Sequence, residues 1–142
     1  MADRFRITLG QLNPTVGDLA GNAALARETW EAGKAAGADL VALPEMFIAG
    51  YNAQDLVMRR AFHLDAIAHV KKLAEDCADG PTLAIGAPWV EGTNLYNAYL
   101  ILKGGKIVSQ VLKPSQTQQE PSDPPPAQIP DPNEYEFKLL PP

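Results

Sequence analysis

The run Asp39-Leu40-Val41-Ala42-Leu43, followed at once by Pro44-Glu45, constrains this chain more than any other stretch. A short and almost wholly apolar run has the length and composition of a strand buried in a parallel sheet. Pro44 has no amide hydrogen for a ladder and disfavours helix at the residue before it, so the strand ends there. Glu45 therefore stands at the carboxyl end of a buried strand, where ligands bind in open α/β sheets. Pro44 on one side and Met46-Phe47 on the other would favour a protonated carboxyl, which suits proton transfer; a plain loop or helix-capping carboxylate is the competing reading. Gly50, within Ile48-Ala49-Gly50-Tyr51, permits the backbone angles of a tight bend.

Around this stretch, strand-like and helix-like patterns alternate. Phe5, Ile7 and Leu9 alternate with Arg6 and Thr8, which predicts a strand over residues 5–9. Residues 11–18 are rich in turn-formers, with Asn13-Pro14 and Gly17-Asp18. A helix is expected over 22–36, with Leu25, Thr29, Ala32 and Ala36 on its inner face and Gly37 as its stop. After Tyr51 a short helical turn is expected over 53–58. A longer helix over 60–78 carries Ile67, Val70, Ala74 and Cys77 on one face and ends at Gly80-Pro81. A third strand over 82–87, a loop from Pro88 to Asn94, a fourth strand over 95–102, a turn at Lys103-Gly104-Gly105-Lys106 and a fifth strand over 107–113 complete the pattern. The order β-α-β-α-β-β-β argues for an α/β layered domain in which parallel strands give way to an antiparallel hairpin.

At Pro114 the composition changes. Nine of the thirteen prolines lie in residues 114–142, among them Pro124-Pro125-Pro126, with Gln, Ser and Asp between them. Such a segment buries too little apolar surface to offset the entropy of ordering it, so a partial domain over 1–113 and a disordered or polyproline tail over 114–142 are expected. Tyr135, Phe137, Leu139 and Leu140 offer at most one weak strand or docking peptide. The tail also holds five acidic residues against one basic, and so most of the net charge of −5. That acidity argues against nucleic acid or an anionic membrane as partner. No run approaches a membrane span, and one cysteine fits a reducing compartment, so the cytoplasm is the expected location.

Three segments together resemble the nitrilase superfamily of carbon–nitrogen hydrolases: residues 5–11; Leu43-Pro44-Glu45-Met46-Phe47 with Gly50-Tyr51; and the 96–113 hairpin ending in Leu112-Lys113. Within that superfamily, Gln11-Leu12-Asn13-Pro14-Thr15-Val16-Gly17-Asp18-Leu19-Ala20-Gly21-Asn22 is similar to the opening of the glutaminase domains of glutamine-dependent NAD synthetases. So are Gln54-Asp55-Leu56 after Gly50-Tyr51, and Gly86-Ala87-Pro88-Trp89 followed by Leu95-Tyr96-Asn97-Ala98. The resemblance spans residues 4–113. It implies an α-β-β-α sandwich, here incomplete with about half its strands, and a Glu-Lys-Cys amidase site. Glu45 matches the carboxylate that takes the thiol proton and returns it to the leaving amine. Lys113 matches the ammonium that stabilises the oxyanion. Tyr51 matches a tyrosine of the glutamine pocket. In the whole enzymes of that family, ammonia passes to a synthetase domain that uses ATP and magnesium; this segment itself is expected to need no cofactor.

Two departures qualify the likeness. The family's nucleophilic cysteine follows the lysine, whereas the single cysteine here, Cys77, precedes it on an apolar helix face. Acidic Glu75, Asp76 and Asp79 would raise its pKa, so it reads as a core cysteine and not a nucleophile. After Lys113 the chain runs into Pro114-Ser115-Gln116-Thr117 in place of the family's next strands. Gly104-Gly105 reads as a hairpin turn, and His63 and His69 are wrongly spaced for a metal pair. The expectation is therefore part of a glutamine-hydrolysing NAD synthetase, without activity on its own and prone to self-association through an uncovered sheet. The alternatives are part of another carbon–nitrogen hydrolase acting on a nitrile, carbamoyl-amine or simple amide, and a non-catalytic assembly module with a Pro-rich, partner-binding tail.

Overall fold

The computed structural model describes residues 3–51, 59–114 and 136–139, so the helical turn expected over 53–58 and most of the Pro-rich tail lie outside the described residues. Among them, six strands form one sheet in chain order: β1 (Ile7–Leu9), β2 (Leu40–Ala42), β3 (Thr82–Glu91), β4 (Asn94–Lys103), β5 (Lys106–Pro114) and β6 (Glu136–Leu139). β1, β2 and β3 run parallel, while β3 through β6 pair antiparallel. Helix α1 (Leu19–Ala35) crosses from β1 to β2, and α2 (Arg60–Asp76) precedes β3. The helices pack on one another and on the sheet. None of the described helices is long and apolar enough to cross a membrane.

Helix α1 starts three residues earlier than the apolar pattern suggests, because Asp18 caps it: its Oδ1 accepts from the Gly21 amide at 2.9 Å. Its buried stripe is Leu19, Asn22, Ala23, Ala26, Trp30 and Gly33, whereas Ala32 and Ala36 are exposed. The expected face was misplaced because two of the true inward positions, Asn22 and Gly33, do not register in an apolar count. Trp30 is core: its Nε1 donates to Pro81 O at 2.8 Å. On α2, Val70, Ala74 and Cys77 are buried as the spacing predicts, joined by His63, Ala66 and Leu73.

Strand β3 does not stop at Ala87. It continues through Pro88 and Trp89 to Glu91, and the expected loop shrinks to Gly92-Thr93. β2 pairs only with residues 82–84 and the loop after it borders β3 only as far as Gly86, so among the described residues Pro88 has no neighbouring strand on that side, and proline is tolerated where a strand lies at an edge. The second correction concerns the tail. Within the segment expected to be disordered, Glu136–Leu139 forms β6 on the free edge of β5, with Val111 opposite Phe137 and Ser109 opposite Leu139. An unpaired edge is a template for any short extended run, and the alternation of Tyr135, Phe137 and Leu139 supplies one.

The two sides of the sheet differ. Val41, Leu83, Ile85, Leu100 and Leu112 are buried on the helix side, in a core with Phe47 and Ile48. The apolar set of β1 points the other way, with Phe5 69%, Ile7 50% and Leu9 76% exposed.

Candidate active site

Glu45 is placed by a loop fastened from both sides. As the chain leaves β2, the Leu43 amide donates to Ala84 O at 2.8 Å, and Pro44 O accepts from the Gly86 amide at 3.2 Å. The Ile48 amide then donates to Gly86 O, also at 3.2 Å, so residues 43–48 continue the sheet along β3 where β2 has ended. Gly86 makes this possible: a Cβ there would lie 2.2 Å from Met46 N and 2.6 Å from the Glu45 carbonyl carbon. Tyr99 of β4 reaches over to donate its hydroxyl to Leu43 O at 2.8 Å, and burial raises that hydroxyl's pKa. Met46, the residue after Glu45, sits at φ 53°, a left-handed conformation uncommon for a non-glycine residue and frequent at functional sites.

The other side of the loop is held by the stretch before α1. Asn22 is buried and donates its Nδ2 to Ile48 O at 2.9 Å and to Thr15 O at 2.8 Å, while its Oδ1 accepts from the Thr15 amide at 2.9 Å. The Gly17 amide donates to Ala49 O at 2.9 Å. Gly50 has φ 83°, and a Cβ there would meet Val16 Cα at 2.6 Å. The Gln-Leu-Asn-Pro-Thr-Val-Gly-Asp run is thus a clasp for the Glu45 loop.

The site forms where this loop crosses the antiparallel strands. Pro88 of β3, Asn97 of β4 and Lys113 of β5 lie in one lateral row. Directly opposed residues project from the same face, with Cβ atoms about 5 Å apart. From the centre of that row Asn97 donates its Nδ2 to Glu45 Oε1. Of the residues singled out from sequence, Glu45 thus accepts from Asn97, and Lys113 is the residue that pairs with Asn97 in the β4–β5 ladder. Tyr51 is on the turn after Gly50 and 66% exposed, and no described hydrogen bond joins it to either of them. Glu45 is itself exposed, so Pro44 and Met46 do not enclose it as their apolar character suggested: Pro44 is exposed, Met46 packs partly buried against the core and Phe47 lies within it.

Asn97 and Tyr99 carry no role in the sequence reading. The signal was there for Asn97: asparagine is depleted in strands, and one in mid-strand between Tyr96 and Ala98 calls for a polar partner. Cys77 lies elsewhere, at the end of α2 among buried side chains. Its thiol is pushed up to about 11, first by burial and then by Asp76 and Glu31, against the lowering effect of Arg27. The Gly104-Gly105 turn joins β4 to β5 as a hairpin and leads into no helix, and among the described residues no three His, Cys, Asp or Glu side chains cluster.

A carboxylate at the end of a parallel strand accepts from an amide whose partner in the ladder is a lysine, on the face of an α/β sheet that no described helix covers. The chain belongs to the carbon-nitrogen hydrolase family, whose model matches residues 6–127. It is 58% identical over 113 residues to the glutamine-dependent NAD(+) synthetase of Rhodobacter capsulatus, which covers 80% of this chain and 20% of that protein. The Thermotoga maritima protein of the same name is 36% identical over 107 residues, covering 74% of this chain and 18% of that protein. The chain therefore spans about a fifth of the length of these curated relatives. Among solved structures, the glutamine-dependent NAD(+) synthetase from Cytophaga hutchinsonii superposes with a TM-score of 0.73 at 26% identity, over 78% of this chain and 19% of that one. An amidase from Nesterenkonia sp. shares the fold, with a TM-score of 0.63 at 21% identity over 77% of this chain and 42% of its own.

Proposed function

We propose that this chain supplies the acid–base carboxylate and the ammonium of a glutamine-hydrolysing site that feeds ammonia to NAD synthesis. The observation that supports the reading is the Asn97–Glu45 hydrogen bond at the strand position paired with Lys113, on a chain 58% identical over 113 residues to a glutamine-dependent NAD(+) synthetase. In the proposed reaction a thiolate attacks the carbonyl carbon of the glutamine side chain. Glu45 takes the thiol proton and returns it to the departing nitrogen as ammonia leaves and the thioester forms. Lys113 faces the oxyanion, and Tyr51, exposed beside the loop, is free to close on the substrate's amino-acid end. The sulfur is not Cys77, which is buried with its thiol raised to about 11. It has to come from outside these 142 residues, and the chain alone is expected to release no ammonia from glutamine.

The proposal extends to setting. ATP and magnesium belong to a synthetase domain and not to this segment, and a single buried thiol fits the cytoplasm. The exposed Phe5, Ile7 and Leu9 give the chain a face for self-association. The test is a chimera in which this chain's segment replaces the matching 113 residues of the Rhodobacter capsulatus relative. Glutamine-dependent ammonia release is expected, falling by roughly 10²–10⁴ in kcat with Glu45→Gln and by about 10²–10³ with Lys113→Met. An active chimera indifferent to Glu45→Gln would overturn the reading.

A further inference from the structure

β6 occupies the outer edge of β5 with only four paired positions. Ser109 pairs with Leu139, Gln110 with Lys138, Val111 with Phe137 and Leu112 with Glu136, and no strand lies beyond β6 among the described residues. The edge is filled at a cost. Ser109 and Gln110 are buried, yet Ser109 Oγ and Gln110 Oε1 find no hydrogen-bond partner among the described residues. Buried polar atoms left unpaired offset part of what a docked strand gains, so β6 is held less firmly than the long strands β3 to β5. Residues 115–135, outside the described residues, connect β5 to β6. Because Glu136 lies opposite Leu112, that connection starts and finishes at the same end of β5, a gap that a hairpin turn of about two to five residues is enough to close. The sequence supplies a far longer span with Pro124-Pro125-Pro126 inside it, and consecutive prolines favour an extended run over a reversal. A short strand on a connection long enough to reach a neighbouring molecule is the arrangement that passes between copies.

We propose that the outer edge of β5 is a strand-docking site whose occupant, residues 136–139, is exchanged between two copies of this chain. Pairing between copies makes the same ladder as pairing within one, so the balance is set by protein concentration against the effective concentration that the connection imposes. Reciprocal exchange closes as a two-fold dimer. It uses a sheet edge and leaves the apolar stripe of β1 untouched, so it is separate from association through Phe5, Ile7 and Leu9, and it does not depend on the amidase reading.

The experiment uses the full 142-residue chain with Cys77→Ala, so that every thiol is an introduced one. One preparation carries Val111→Cys and a second, tagged to differ in mass, carries Phe137→Cys. These positions are directly opposed, with Cβ atoms about 5 Å apart, near enough for a disulfide after a small shift. The two are mixed and oxidised with glutathione disulfide, and non-reducing gels read the products. A covalent mixed dimer is expected, with a yield that rises with protein concentration toward the millimolar range (about 1 mM) at which a tethered strand stops winning. That yield should be several-fold above a control in which Lys103→Cys, at an exposed position that β6 does not pair with, replaces Val111→Cys. A chain carrying both Val111→Cys and Phe137→Cys should close a disulfide within itself when dilute. Ser109→Cys with Leu139→Cys, the next opposed pair but one, gives the same reading if the first pair does not fold. Mixed dimers no more abundant than in the Lys103→Cys control, beside normal closure of the doubly substituted chain, would overturn the exchange. Absence of both cross-links would overturn the docking site itself.

Discussion

The two faces of this one sheet have been finished to different degrees. On the helix side, Val41, Leu83, Ile85 and Leu100 lose essentially all contact with water under α1 and α2. On the other side, Phe5, Ile7 and Leu9 remain half or more exposed, and the Pro88–Asn97–Lys113 row, from which Asn97 reaches Glu45, lies on a face that no described helix covers. The hydrophobic effect scales with apolar area removed from water, so the first face holds the fold together and the second contributes little to it. Stability thus belongs to one side of the strands, and the chemistry proposed above to the other. Substitutions on one should leave the other nearly untouched.

The largest effect that would test this separation lies at Trp30. Trp30→Ala empties the space beneath Gly80 and strands Pro81 O without its donor, so the unfolding free energy should fall by about 3–5 kcal/mol. Denaturant titration of the purified variant measures this, and a loss below about 1 kcal/mol would mean that the helix side is not the seat of stability. Cys77 offers a smaller effect with a sign fixed by linkage. Its thiol ionises near the ordinary 9.0 when unfolded and near 11 when folded. The folded chain therefore holds the proton more tightly, and stability is lost as pH rises from about 9 through 11. A rise of this size corresponds to about 2–3 kcal/mol at the alkaline end. Tyr99, also raised by burial, acts in the same direction. Cys77→Ala should flatten this limb in chemical denaturation repeated across pH, and an unchanged limb would place the thiol in water.

How far the sequence reveals this arrangement depends on what kind of residue carries each part of it. Strands β1 to β5, both helices and the parallel-to-antiparallel change follow from apolar periodicity and from Pro44, Gly37 and Gly104-Gly105, because those signals are local. Of the candidate site, Glu45 is marked by the strand that ends before it, and Lys113 by the likeness to the family. Asn97 was marked only by the rarity of asparagine in mid-strand, since its partner lies 52 residues away in the chain and no local pattern names it. The inner face of α1 was misjudged for a related reason: Asn22 is buried not as an apolar residue but because three hydrogen bonds to Thr15 and Ile48 satisfy it. β6 was underestimated because its pairing depends on the vacant edge of β5 more than on its own sequence.

The smallest expected change in stability is also the most direct test of the uncovered face. Replacing Phe5, Ile7 and Leu9 together by Ser, Thr and Ser removes the apolar stripe of β1 without touching Thr8 or the helix side. Exposed substitutions of this kind usually alter stability by no more than about 0.5 kcal/mol each, so the unfolding midpoint should hardly move. Sedimentation velocity should nevertheless shift toward smaller species if contiguous exposed apolar surface is what drives association. A loss of several kcal/mol would show that the stripe is already buried against something in solution. A distribution identical to the unsubstituted chain's would remove this face as the site of self-association and turn attention to the free edge of β1, whose unpaired backbone groups can also recruit a second chain.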